Sequence, residues 1–106
     1  MPAPAVAIAL VTCPPAIAEP LAERLLEAGV AACVNVLPGV RSLYRWQGEL
    51  QRDEESLLLV KHPVAGFEAL RAEVLRHHPY ELPEIVAVPL SQGHAPYLDW
   101  VLAACQ

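Results

Sequence analysis

Two adjacent imidazoles, a run of carboxylates and three scattered thiols are the groups in this chain that could do chemistry. His77-His78 is the leading metal candidate. Imidazole nitrogen suits Cu(II) and Zn(II), so the pair would take copper or another divalent cation, with none obligatory. Glu73 stands four residues before His77, one helical turn away, and could add a carboxylate on the same face. Two other readings stay open. A helix C-terminus favours a partly charged imidazole at His77, and His78 could pack beneath the Pro79-Tyr80 loop. Cys13, Cys33 and Cys105 are odd in number and lack CxxC spacing. They fit reduced thiols in a cytoplasmic protein rather than a disulfide framework. Cys33 reads as a small core residue and Cys105 as an inert terminal thiol.

Asp53, Glu54 and Glu55 are consecutive on an extended segment, where neighbours point to opposite faces, so they do not make a paired acid and base. No Gly-rich phosphate loop and no Ser/His/Asp arrangement is present, and the chain does not read as an enzyme. Arg41, Glu54, Glu55 and Lys61 could line a polar cleft between subunits that holds a small ligand. The same residues could instead form a salt-bridge set that fixes strand register. Tyr44, Trp46 and Trp100 read as interface aromatics rather than a ligand cage.

The element that must position these groups is a long β-hairpin from about Ala32 to about Lys61. Gly48 supplies the positive φ that a tight loop needs, and Gln47-Gly48 as the loop sets Trp46 opposite Glu49 and Tyr44 opposite Gln51. The same register sets Arg41 opposite Glu54, a favourable cross-strand charge pair. Arms of about 13 residues would reach roughly 43 Å, whereas a globule of this size is only ~35 Å across. Pro38-Gly39 offers a bend or bulge. Leu43, Tyr44, Trp46 and Leu50 load the tip with apolar groups. Such a ribbon either folds back on its own core or is covered by neighbouring subunits, and the second reading is preferred.

The rest of the chain reads as ordinary packing. Val6–Val11 is a buried strand, and Pro14-Pro15 ends it. Ala16–Ala28 is a helix, with Pro20 in its first turn and Gly29 as its stop. Leu57–Val60 is a second buried run, broken by His62-Pro63. Phe67, Leu70, Val74 and Leu75 mark another helix, with Glu68 and Arg71 able to pair. Pro79 ends it. Glu84–Val88 is the fourth strand, and a short helix follows from Pro96. The order is βαββαβ plus a C-terminal helix: an α+β, ferredoxin-like sandwich with a long central hairpin, one domain over residues 1–106. Both helices would cover one sheet face, which leaves the other for oligomer contacts. Seven basic and twelve acidic residues, with no basic cluster, argue against nucleic acid. No apolar stretch reaches membrane-spanning length. Leu10-Val11-Thr12-Cys13 faintly resembles a lipoprotein cleavage site, but no basic segment precedes it, so the run is kept as a strand.

Three segments together carry a family resemblance: AACVNVLPGVRSLYRWQGELQ, ESLLLVK and LRHHPYELPEIVAVPLSQGHAPYLDWV. They resemble the CutA family of divalent-cation tolerance proteins over nearly the whole chain. The resemblance implies a ferredoxin-like fold, a tight homotrimer built by the hairpins, a cytoplasmic setting and a link to copper and other divalent cations. It also implies a copper site joining the His pair to a thiol late in the first strand. Here Val11 stands at that place, with Thr12 and Cys13 following, and a one-residue step turns a strand side chain to the other face. The likeness to PII signalling proteins, trimers with ligands between subunits, is architectural only.

Overall fold

The computed structural model describes residues 4–105. Its elements are β1 (Val6–Cys13), α1 (Pro15–Glu27), β2 (Cys33–Trp46), β3 (Glu49–Pro63), a single 3-10 turn (Val64–Gly66), α2 (Phe67–His77), β4 (Ile85–Pro89) and α3 (Ala95–Ala104). The four strands form one antiparallel sheet in the order β2-β3-β1-β4. That is the ferredoxin-like order the sequence pattern implies.

The hairpin has the expected register. Trp46 faces Glu49, Tyr44 faces Gln51 and Arg41 faces Glu54. Gln47 (φ 50°) and Gly48 (φ 82°) are both left-handed, which is what a two-residue I′ loop requires. The register slips between Leu37 and Val40. Pro38-Gly39 lies there, and Gly39 at φ 76° makes it a bulge. The longest dimension of the molecule is 44 Å, about the length of the hairpin arms.

Strand parity divides the sheet into two unlike faces. Ala9, Val11 and Cys13 of β1 and Leu58 and Val60 of β3 point to the helices, where Leu21 and Leu25 of α1 and Leu70 and Val74 of α2 complete a buried core. Each such large aliphatic contributes roughly 1.5–3 kcal/mol by leaving water, and truncating Leu25 to Ala would cost ~2–5 kcal/mol. The pairing Ile8–Lys61–Cys33 fixes the parity of the opposite face. It carries Ile8, Leu10, Leu57, Leu59, Val86 and Val88, and the two β4 valines are about half exposed. In the single chain α3 packs against β1 and β3 but leaves this apolar face open.

Three sequence expectations shift. α1 begins at Pro15, which takes the early position assigned to Pro20, and Pro20 sits inside the helix. β3 runs through His62 to Pro63 rather than breaking there. Cys33 is half-buried beside Lys61 rather than in the core. Gly29 does stop α1, at φ 73°. Its N–H reaches the Leu26 carbonyl (3.1 Å) and the Val30 N–H that of Leu25 (3.2 Å), a Schellman closure.

Candidate functional site

The His77-His78 pair is split by the proline that follows it. Pro79 disfavours the helical conformation at His78, which is extended at φ −88°, ψ 133°. His77 therefore remains the last residue of α2, while His78 turns inward. The Nε2–H of His78 donates to the Thr12 carbonyl (2.8 Å), and its Nδ1 accepts the Tyr80 N–H (3.2 Å). Both ring nitrogens are thereby committed to the protein, and the ring is buried against Tyr80. His77 stays on the surface with its Nε2 3.0 Å from Glu73 Oε1. The two imidazoles do not converge on one point. Among the described residues no three His, Cys, Asp or Glu side chains gather as a metal cluster. Val11 and Cys13 both point into the core, and burial followed by the nearby Glu55 charge pushes the Cys13 thiol up to about 11.

The larger feature is a groove of about 880 Å³ between the hairpin and the segment 79–84. Parity places Tyr44, Trp46, Asp53 and Glu55 on the hairpin face continuous with the open side of the sheet. Tyr80 closes the groove from the other side and donates its hydroxyl to Glu55 Oε2 at 3.0 Å. The Tyr44 hydroxyl donates to Asp53. Hydrogen bonding to Asp53 is the chief cause that raises the Tyr44 phenol, with lesser contributions from burial and from the charges of Asp53 and Glu55. Tyr80 is raised further, first by burial and then by Glu55. The groove lining holds more carboxylates, Asp53, Glu55, Glu81 and Glu84, than cations. Arg41 and Arg45 reach its lining, yet among the described residues neither makes an ion pair with Asp53 or Glu55.

Of the cleft and interface residues singled out from sequence, Arg41, Tyr44 and Trp46 meet in this groove. Glu54 faces the other side of the hairpin. Lys61 lies at the far end of β3, bonded to Asn35 and 3.7 Å from Cys33 Sγ. Trp100 lies tilted against Tyr97 of α3, half exposed. The Tyr80–Glu55 contact has no local sequence signal. It joins residues 25 apart through tertiary placement alone.

The family model described as CutA1 divalent ion tolerance protein matches residues 7–104. The chain belongs to this family. It is 47% identical over 95 residues to the divalent-cation tolerance protein CutA of Thermus thermophilus, covering 89% of this chain and 92% of that one. A solved structure of the divalent cation tolerance protein from that organism superposes with a TM-score of 0.91 at 45% identity, over 93% of this chain and 97% of the other. The PII-like protein CutA of Nostoc superposes with a TM-score of 0.89 at 36% identity, over 94% and 97%. A Xenopus laevis CutA homolog is 45% identical over 88% of this chain, which spans only 62% of that longer protein. Within this CutA-family fold the groove and the open sheet face adjoin, so whatever covers one also borders the other.

Proposed function

We propose that the chain serves divalent-cation tolerance as a cytoplasmic homotrimer that binds copper or another divalent cation weakly at its surface. The observation that carries the metal part is the His77–Glu73 pair, an imidazole and a carboxylate 3.0 Å apart on one helix face. This donor set suits a divalent transition ion. Two donors hold such an ion only with help from water or a neighbouring copy, so the affinity is modest. His78 is not part of the set, because both its nitrogens are engaged. The open apolar sheet face and the hairpin tip support assembly. Leu43 and Leu50 are 60% and 61% exposed, more apolar surface than a lone ribbon carries without a partner. The three free cysteines agree with a reducing compartment. Copper titration by calorimetry on the parent and on His77→Ala tests the metal part. Equal stoichiometry and affinity in the two would overturn it.

A second reading is favoured by a separate observation. The groove beside Glu55 has the size of a small-molecule site, and in this reading the trimer binds a metabolite there. Tightening of the groove by a neighbouring copy would complete such a site.

A further inference from the structure

We propose that the groove between the hairpin and residues 79–84 binds a small organic cation, with its ammonium or guanidinium group seated on Glu55. The proposal rests on the second reading above, not on the metal reading. Its starting point is the burial of Glu55, which is only 5% exposed. A carboxylate taken out of water is costly unless it is paired and hydrogen-bonded. Glu55 has one such partner: its Oε2 accepts the Tyr80 hydroxyl. Its Oε1 has no hydrogen-bond partner among the described residues, and the side chain lines the groove. No cationic side chain of the described residues lies within ion-pair distance of it. A largely buried carboxylate therefore borders the groove with one oxygen unpartnered, and Arg41 and Arg45, which also line the groove, make no ion pair with it.

The rest of the lining narrows the class of ligand. Tyr44, Trp46 and Tyr80 bring three aromatic side chains to the same groove. Aromatic faces attract organic cations, and more strongly where water is excluded. They offer little to a hydrated metal ion. Asp53 is already engaged by Tyr44, and no group of three metal-type donors is assembled here. Asp53, Glu55, Glu81 and Glu84 outnumber Arg41 and Arg45 in the lining, which disfavours an anion. The volume, about 880 Å³, lies in the range of small-molecule sites. The occupant is thus a free amine or guanidine with an apolar body.

Three probes of one shape and different charge test this on the full chain: benzylamine, benzyl alcohol and benzoate. Binding is read by amide chemical shifts and by melting temperature, since a ligand that binds only the folded state raises the midpoint. The expected result is saturable binding of benzylamine, at least tenfold tighter than benzyl alcohol, weakening with added salt. Shifts should centre on Glu55, Tyr80 and Tyr44. Glu55→Gln keeps an oxygen for the Tyr80 hydroxyl and should lose at least tenfold in benzylamine affinity. Asp53→Asn gives a second removal of charge if the first variant folds poorly, and the three-probe comparison needs no variant. Equal binding of amine and alcohol overturns the proposal, as does undiminished amine binding in Glu55→Gln. Binding of benzoate in preference to benzylamine overturns the cation while leaving the groove as a site. No binding of any probe removes the groove reading with it. If Glu55→Gln leaves amine binding absent in both proteins but dissociates the oligomer, Glu55 serves a neighbouring copy's cation and the proposal falls.

Discussion

The Nε2 of His78 stands 2.8 Å from the carbonyl oxygen of Thr12, a residue 66 positions earlier in the chain. This bond ties the end of α2 to the end of β1 and, through Tyr80, orders one wall of the groove. His78→Ala removes a buried ring and strands the Thr12 carbonyl. An unsatisfied buried group costs ~1–3 kcal/mol before lost packing is counted. The expected result is a clear drop in unfolding free energy in a urea titration, with copper binding per folded chain unchanged. A variant as stable as the parent would mean that the bond is solvent-replaced.

His62 gives a pH signature. It is fully buried on β3; its Nδ1–H donates to the Pro63 carbonyl at 2.7 Å, and its Nε2 has no partner. Burial lowers its pKa, and the Pro63 bond only partly opposes that. The unfolded chain therefore takes up the proton first as pH falls. Stability contributed by the unprotonated ring is complete above the unfolded value, about 6.5. It declines as pH falls from there toward the lower folded value. His62→Gln should flatten the loss of melting temperature between about pH 7.5 and 5. Parallel curves for the two proteins would show that His62 does not titrate on unfolding.

Thiol chemistry should separate the cysteines. Cys13 is fully buried, and its thiol is raised to about 11, so little thiolate exists at neutral pH to attack an electrophile. Iodoacetamide at pH 7.5 followed by mass spectrometry should find Cys13 unmodified in folded protein, and modified only in denaturant. Labelling of Cys13 at the rate seen in denaturant would contradict its burial.

The hairpin was legible because its signals are local. Gln47-Gly48 fixes the loop, the loop fixes the register, and Arg41–Glu54 agrees with it. The bulge at Pro38-Gly39 follows from what those two residues cannot do in a ladder. His78 was harder. Adjacency in sequence suggested a pair, while the effect of Pro79 on the residue before it, equally present in the sequence, separates the two rings. Lys61 and Glu54 differ by an odd number of strand positions, so their opposite facing was also readable. The Tyr80–Glu55 contact was not readable. It depends on how far the loop after α2 folds over the hairpin, which no periodicity records.

Assembly should depend on the open sheet face. Leu59 sits at its centre, opposite Leu10 on one side and Asn35 on the other. Leu59→Lys puts a charge where a neighbouring copy would lie, and no core residue on the helix side is touched. Sedimentation equilibrium at micromolar concentration should give about three chains' mass for the parent and a smaller or aggregated species for the variant. A parent that sediments as a folded single chain would remove the trimer. Trp46→Ala tests the tip in the same way. Truncating a Trp covered by a neighbour costs ~3–5 kcal/mol, whereas a change within a degree or two in melting temperature would leave the tip in solvent.

The metal prediction follows from the fate of the two imidazoles. His77 alone has a nitrogen on the surface, and Glu73 Oε1 stands 3.0 Å from it. A Cu(II) ion would replace that contact and take Nε2 and the carboxylate together. Arg76 also reaches Glu73, at 3.5 Å from its other oxygen, and competes for it. Removing that competition by Arg76→Ala should tighten copper binding a few-fold, and His77→Ala should abolish it. His78→Ala should leave the affinity of folded protein unchanged, which separates this site from a paired-imidazole one. Calorimetric titration of the four proteins at neutral pH decides the matter. Loss of binding in His78→Ala equal to that in His77→Ala, with both proteins folded, would show that His78 leaves Thr12 to ligate. Heat of equal size in all four would place copper elsewhere on the chain.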